Sequence, residues 1–194
     1  MTRKFETVKG YDDATLPQRS TAFSAGYDFF ATEQVYVPSL FAIESDNKAK
    51  ENIEKIEAML ESSMIDYGEY MEMIQESIND VDAYAEHYKP VLVKTGIKAK
   101  FPSNEALFLF NRSSNPKRGL YLPTGVSIVD SDYYNNEDNE GHIFIKITND
   151  SKDEKTVSVK KGEGFAQGIF LEYGITEDDG VSDIRNGGFG STTR

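Results

Sequence analysis

The sequence predicts a mainly β protein with a distorted jelly-roll or β-barrel fold and one α-helical insertion. Three observations lead to this prediction. Short segments rich in β-branched and aromatic residues occur towards both ends of the chain, turn-forming clusters separate them, and residues 47–89 have a helical pattern instead. The chain has 194 residues, 38% of them hydrophobic. This length and composition suffice for one domain with a substantial core.

The predicted strands are short and lie outside residues 47–89. They share a high content of Val, Ile, Phe and Tyr. They cover residues 22–31, 91–101, 106–110, 142–148, 156–159 and 165–173. In 142–148, isoleucines occupy every second position, as in a strand with one buried face. Many short strands separated by turns predict a sandwich or a barrel.

Residues 47–89 form the predicted insertion. Apolar or small residues recur every three or four positions, and the stretch has no proline and a single glycine, Gly68. This spacing predicts a helical stripe, and Gly68 with the preceding Ser62 and Ser63 leaves open one long helix or two antiparallel helices. Four lysines against eleven acidic residues give the insertion a net charge of −7. We expect a solvated acidic face, with a protein partner as the alternative.

The last ten residues, 185–194, predict a C-terminal arm that closes over a nucleotide. The arm carries one aromatic ring, Phe189, among three glycines and three hydroxyl side chains. Glycines allow close approach to phosphates, hydroxyls donate hydrogen bonds and an aromatic ring stacks on a base. A frayed terminus is the alternative. The expected division is therefore 1–46 plus 90–184 as the β domain, 47–89 as the insertion and 185–194 as the arm.

Charge and composition exclude several classes of partner. A net charge of −12 argues against nucleic acid, because phosphate neutralisation by Lys and Arg supplies most of that affinity. The absence of cysteine excludes disulfides and thiolate metal sites and fits a reducing cytoplasm. No apolar run approaches the roughly 20 residues of a membrane span, so no membrane association is expected. A small nucleotide needs only a local basic pocket, assisted by a divalent cation.

Five short stretches combine glycine, hydroxyl, acidic and amide residues in a defined order. They are Ala25-Gly26-Tyr27-Asp28, Arg112-Ser113-Ser114, Val129-Asp130-Ser131-Asp132-Tyr133, Gly162-Glu163-Gly164-Phe165-Ala166-Gln167 and Gly187-Gly188-Phe189-Gly190-Ser191-Thr192. This ordered set resembles the five motifs of the trimeric deoxyuridine triphosphatases, the dUTPases. The resemblance covers residues 16–46 and 90–194 and does not extend to the insertion.

The resemblance implies hydrolysis of dUTP to dUMP and pyrophosphate with Mg²⁺, in a homotrimer with shared active sites, encoded by a bacterium or a phage and acting in the bacterial cytoplasm. Asp130 would be the general base that takes a proton from the attacking water. Ser113 would support the oxygen on which charge grows as pyrophosphate leaves, and Arg112 would supply a fixed cationic fork. A turn aspartate that caps a strand end is the structural alternative for Asp130.

The resemblance also assigns recognition of the base and the sugar. Tyr133 would lie against the deoxyribose and leave no room for a 2′-hydroxyl group. Main-chain groups of a hairpin that includes Gly125, Val126 and Ser127 would bind the uracil edge and leave cytosine unpaired. A half-buried strand aromatic and a plain turn are the structural alternatives.

Further residues would contact the triphosphate and its metal. Gln167 would donate its amide to a phosphate oxygen, and Asp28 would reach Mg²⁺ through water, with the metal held mostly by the triphosphate. In the arm, Phe189 would stack on uracil. Arg185, Ser191 and Thr192 would bind the γ-phosphate, and Gly190 would also contact the substrate.

The chain departs from the family pattern at some positions. Gly164 lies where many relatives have arginine, and the link between Tyr133 and Gly141 is longer than usual. Two other functions remain open from the residues: deamination of dCTP by an enzyme of the same superfamily, and nucleotide sensing by a regulatory protein that acts through the insertion. No candidate acid and base for deamination is found at the hairpin.

Overall fold

The computed structural model describes residues 2–81, 90–151 and 156–181, with the backbone alone at 40–50 and 76–81. Within these ranges the chain forms eleven strands and two α-helices. The helices are α1 (Leu40–Glu61) and α2 (Tyr67–Val81). The strands are β1 (Lys4–Thr7), β2 (Tyr27–Phe30), β3 (Val35–Val37), β4 (Val91–Lys94), β5 (Ile97–Lys100), β6 (Glu105–Asn111), β7 (Leu120–Tyr121), β8 (Ser127–Asp130), β9 (Phe144–Asn149), β10 (Val157–Val159) and β11 (Gly164–Glu172).

The strands form four antiparallel sheets. The largest has the order β2-β11-β6-β8, and a second has the order β4-β9-β7. Two further pairs are β1 with β5 and β3 with β10. Among the described residues these sheets do not close into a single barrel. The mainly β architecture with two helices confirms the predicted fold class.

The core lies between the sheets and is built from alternate residues of their strands. In β9, Ile145 and Ile147 are fully buried, as the alternation in the sequence predicts. Phe29 of β2, Leu107 of β6 and Phe165 of β11 are buried in the same cluster. The central strand β6 places Leu107 and Leu109 in this core and therefore fixes the positions of its polar ends.

The insertion is a pair of helices in contact with each other. The break falls at residues 62–66, where Ser63 adopts a positive φ of 57°. Asp66 is the N-cap of α2, because its carboxylate accepts hydrogen bonds from the amides of Gly68 and Glu69 in the first turn. Ile56 of α1 and Ile74 of α2 are buried. Of the two alternatives left by the sequence, the structure has two helices, and none of the described helices is long and apolar enough to cross a membrane.

Several predicted bounds are wrong. Helix α1 begins at Leu40, before the predicted start at 47. The predicted strand 22–31 is shorter, since only Tyr27–Phe30 pairs with β11. The predicted strand 91–101 is two strands, because β4 pairs with β9 whereas β5 pairs with β1, and the chain turns between them at Thr95 and Gly96.

Candidate active site

A pocket of about 450 Å³ opens beside β8 and the hairpin that precedes it. We call it the hairpin pocket. Its lining includes two residues predicted for the base, Val126 and Ser127, and both Asp130 and Tyr133. Gly125 lies in the same turn, exposed, with its amide donating to the Leu122 carbonyl at 2.9 Å. The structure thus brings the predicted base, sugar and general-base residues together.

Asp130 and Tyr133 lie at the two ends of a short 3₁₀ turn, Asp130 immediately before it and Tyr133 as its last residue. Asp130 is the last residue of β8 and precedes this turn, Ser131–Tyr133, in an extended conformation. It is half-buried, and its side chain lines the pocket. Tyr133 ends the turn and is 8% exposed. The tight turn therefore brings both residues to the lining of the same cavity.

Another part of the pocket lining was not predicted from the sequence. It includes Ile143, Phe144 and Lys146, and Leu109 of β6 contributes as well. Phe144 and Lys146 are two residues apart in β9, so their side chains lie on the same face of the strand. This period of two was visible in the sequence, but which face meets the pocket depends on sheet pairing.

A second group of predicted residues lies around Arg112, which immediately follows β6. We call Asp28, Arg112, Ser113 and Gln167 the Arg112 cluster. The Arg112 guanidinium binds the Asp28 carboxylate through two nitrogens, with Nε 3.0 Å from Oδ1 and Nη2 3.2 Å from Oδ2. This bidentate geometry holds the planar fork in one orientation. Ser113 is exposed beside it.

Gly164 gives Arg112 the space it occupies. The Nη1 group of Arg112 donates a hydrogen bond to the Gly164 carbonyl. A Cβ atom at position 164 would lie 2.8 Å from Nη1, closer than such contacts occur in proteins. The departure from the family pattern at this position therefore has a structural counterpart: the guanidinium of Arg112 packs directly over the glycine.

Gln167 lies next to this pair on β11, which is flanked by β2 and β6. It pairs with Asp28 of β2 on one side and with Phe110 of β6 on the other. Its Nε2 donates to the Asn111 carbonyl at 3.0 Å, which uses one of its two amide hydrogens. The pairing of β2, β11 and β6 thus places three residues that are distant in sequence side by side.

The hairpin pocket and the Arg112 cluster lie at different positions along β6. Asp130 pairs with Ala106 near the beginning of the strand, whereas Arg112 follows its last residue, Asn111. At about 3.4 Å per residue, Ala106 and Arg112 are separated by about 20 Å. Within one chain, Asp130 and Arg112 are therefore too far apart to contact the same phosphate group.

Magnesium would find few protein ligands at this site. The described residues contain no cluster of three or more acidic or histidine side chains that could hold a metal. The Asp28 carboxylate accepts hydrogen bonds from Arg112 and, at 3.0 Å, from the Ser20 hydroxyl. A carboxylate has about four lone-pair positions, so Asp28 has room for one further bond from a metal-bound water. This donor set fits an outer-sphere contact, in agreement with the preference of Mg²⁺ for retained waters and substrate phosphates.

A buried histidine lies behind the hairpin pocket. His142 is 5% exposed, and its Nε2 accepts a hydrogen bond from the Gly96 amide at 2.8 Å. Burial, with a smaller effect of Lys94, lowers the pKa of His142 to about 4. The ring is therefore neutral at pH 7, and its role here is to accept a hydrogen bond from the turn between β4 and β5.

The predicted arm residues Arg185, Phe189, Gly190, Ser191 and Thr192 lie outside the described residues, as does the start of the arm. Their roles stay predictions. All the other predicted site residues fall within the described ranges and belong either to the hairpin pocket with its hairpin or to the Arg112 cluster.

Comparison with known proteins places this chain in a family. The family model for dUTPase matches residues 79–193. The deoxyuridine 5′-triphosphate nucleotidohydrolase of Lactococcus lactis is 34% identical over 98% of this chain and 97% of its own length. A crystal structure of the dUTPase from Streptococcus mutans is 30% identical and superposes with a TM-score of 0.58, covering 89% of this chain and 98% of the other.

A more distant structure shares the fold. It is a mutant dUTPase from phage phi11 of S. aureus, 14% identical with a TM-score of 0.55, covering 94% of this chain and 98% of its own, and it shows the coordination of a structural Mg(II) ion. The mainly β fold, the five ordered motifs and a relative that aligns over nearly the whole chain agree. The chain belongs to the dUTPase family.

Proposed function

We propose that the chain hydrolyses dUTP to dUMP and pyrophosphate. The observation that carries the proposal is the hairpin pocket, in which a carboxylate, Asp130, and a buried aromatic ring, Tyr133, border one cavity next to an ordered hairpin. A uracil base and its sugar would occupy this cavity. Main-chain groups of the hairpin at Gly125, Val126 and Ser127 would recognise the uracil edge.

In the proposed reaction, Asp130 accepts a proton from a water molecule as the water oxygen attacks the α-phosphorus. The bond from this phosphorus to the oxygen bridging the α- and β-phosphates breaks, and its electron pair leaves with pyrophosphate. General-base assistance of this kind contributes about 10² to 10⁴ in rate. Tyr133 would lie against the deoxyribose and exclude ribonucleotides.

The Arg112 cluster would stabilise the leaving group. Arg112 is held in one orientation by Asp28 and Gly164, so little reorganisation is needed when charge develops on the bridging oxygen. Ser113 would donate its hydroxyl to this oxygen, and the second amide hydrogen of Gln167 would reach a phosphate oxygen. Mg²⁺, when bound to the triphosphate, would neutralise part of its charge, and Asp28 would bind one of the metal's waters.

The active sites are proposed to be shared between the subunits of a homotrimer. The separation of about 20 Å along β6 supports sharing, since one chain does not bring Asp130 and Arg112 to the same phosphate. A neighbouring copy would supply the Arg112 cluster to each hairpin pocket. The arm would close the site, with Phe189 on the base and Arg185, Ser191 and Thr192 on the γ-phosphate. Gly190 would also contact the substrate. The cytoplasm is the proposed location, in agreement with the absence of cysteine.

One assay tests the proposed reaction. The protein is incubated with dUTP, dCTP, dTTP or UTP in the presence of Mg²⁺, and the products are identified. We expect dUMP and pyrophosphate from dUTP and little product from the others. Asp130→Asn should lose most turnover and keep nucleotide binding. Release of ammonia from dCTP would support the deaminase alternative, although the name of the Lactococcus lactis relative favours hydrolysis.

A second proposal concerns the helical insertion, which would contact a protein partner. Its support is a set of exposed apolar side chains in the turn before α2 and in its first two turns: Met64, Tyr67 and Met71 are 73%, 68% and 45% exposed. Replacing Tyr67 and Met71 by serine should leave dUTP turnover unchanged. The same change should remove the partner from complexes isolated from cells, which is measured as their protein composition. Unchanged composition would make the insertion a structural element only.

A further inference from the structure

The loop between Tyr133 and His142 forms a closed structure around the tyrosine. We call residues 134–141 the tyrosine loop. The Asn136 amide donates to the Tyr133 carbonyl at 3.1 Å, and the Asn135 amide donates to the Glu140 carbonyl at 3.1 Å. Gly141, with φ of 76°, passes so close that a Cβ there would lie 2.2 Å from the Tyr133 carbonyl oxygen. The loop therefore packs directly on the backbone of Tyr133.

The same loop binds the hydroxyl of the tyrosine. Asn139 Nδ2 donates to Tyr133 Oη at 2.7 Å, and the Gly141 amide donates to Asn139 Oδ1 at 3.0 Å. Because Oδ1 accepts from a main-chain N–H group, the nitrogen of this amide is the atom that faces Tyr133. The hydroxyl proton is then directed to the His142 carbonyl, 3.3 Å away. Asn139 thus connects the tyrosine ring to the loop backbone.

The loop is itself anchored to the neighbouring strands. Lys98 of β5 donates to Asn135 Oδ1 at 2.8 Å and to Glu140 at 3.2 Å. The Tyr134 hydroxyl donates to Glu6 of β1 at 2.7 Å. These contacts attach both ends of the loop to the β1–β5 pair, so the loop can hold the tyrosine in place.

We propose that Asn139 is a positioning residue that fixes the Tyr133 ring and thereby sets the selection of deoxyribose over ribose. The inference rests on the proposed function, in which Tyr133 packs against the sugar. Exclusion of one additional hydroxyl group requires a ring that does not move aside, and the hydrogen bond from Asn139 opposes that movement. Asn139 does not contact the nucleotide and acts through Tyr133.

The experiment measures sugar selectivity in two ways. The first is the ratio of kcat/KM for dUTP to that for UTP, and the second is the ratio of dissociation constants for UDP and dUDP by calorimetry, which does not require turnover. Asn139→Ala should reduce both ratios about tenfold, the effect of losing one well-formed hydrogen bond. Asp138→Ala removes an exposed side chain from the same loop and should leave both ratios unchanged.

A double-mutant cycle separates positioning from a general loosening of the loop. Tyr133→Phe removes the hydroxyl and should lower selectivity to a similar extent, and Asn139→Ala should then have little further effect in the Tyr133→Phe background. Equal losses from Asn139→Ala in both backgrounds would overturn the inference. So would unchanged selectivity in Asn139→Ala, equal losses for dUTP and UTP, or a wild-type protein with no preference for dUDP. A wild-type protein that prefers dUDP without hydrolysing dUTP would instead contradict the proposed function.

Discussion

Asp28 binds Arg112 through both of its carboxylate oxygens, at 3.0 and 3.2 Å. The two residues are 84 positions apart and meet because β2 and β6 pair with opposite edges of β11. The Asp28 side chain is 14% exposed and that of Arg112 is 32% exposed, so the pair is shielded from water more than an ordinary surface ion pair. Its effect is to present one fixed cationic group at the end of β6.

Loss of the Asp28 carboxylate should impair catalysis. In Asp28→Asn the bidentate pair is broken, and we expect kcat/KM for dUTP to fall about 10- to 100-fold, which corresponds to one or two charge-assisted hydrogen bonds. Asp13→Asn breaks the exposed pair with Lys161 and serves as the control, with an expected change below twofold. Recovery of Asp28→Asn at high Mg²⁺ would show that Asp28 acts on the metal and not through Arg112.

A methyl group at position 164 should displace Arg112. We expect Gly164→Ala to lower kcat/KM for dUTP about tenfold or more, because Nη1 lies 2.8 Å from where the new Cβ would be. Gly174→Ala is the matched control, since no atom lies within 4 Å of a Cβ at that exposed position. Steady-state kinetics and urea unfolding should be measured for both variants. Full activity in Gly164→Ala would contradict the role assigned to the position of Arg112.

Two inactive variants should restore each other if the sites are shared. Asp130→Asn lacks the base and Arg112→Ala lacks the cationic fork, so each alone should be nearly inactive. When the two are unfolded together and refolded at equal concentrations, random assembly gives each site an intact base and an intact fork in about one quarter of cases. Activity per site should approach this fraction of the wild-type value. Mixing the folded variants without refolding is the control, and no recovery after refolding would place both groups in one chain.

Acidification should destabilise the protein through His142. Burial lowers its folded pKa to about 4 from an unfolded value near 6.5, so the unfolded chain binds more protons between these pH values. The stabilisation from the neutral ring is complete above pH 6.5 and is lost as the pH falls towards 4. From pH 7.5 to 5.5 we expect a loss of about 1 kcal/mol in the free energy of unfolding.

Urea unfolding at the two pH values measures this loss. The variant His142→Gln should show a pH dependence smaller by about 1 kcal/mol, because it lacks the titrating ring. Enzyme activity is not needed for the comparison. An unchanged pH dependence in this variant would assign the effect to other groups.

The sequence predicted the mainly β fold and the presence of the insertion, because these depend on local pattern. The ordered motifs led to Asp130, Tyr133 and the Arg112 cluster, but not to the part of the pocket lining that includes Ile143, Phe144 and Lys146. The sequence did not predict β1, β3, β7 and β8. Strands of two to four residues give only a weak alternation pattern, and of the strands of this length only some, such as β10, were predicted. Two features could not be predicted from residue spacing. The contact between Asp28 and Arg112 depends on strand pairing, and the hydrogen bonds of the tyrosine loop to Tyr133 depend on the loop geometry.

The length of β6 has a consequence for how the activity depends on protein concentration. In the proposed arrangement the two parts of one active site come from different copies, about 20 Å apart on each, so an isolated copy would be inactive and activity would require association. Below the dissociation constant of the assembly, the rate then falls more steeply than the amount of protein. At such concentrations, the proposed shared site predicts that a modest rise in the amount of protein increases dUTP hydrolysis more than proportionally.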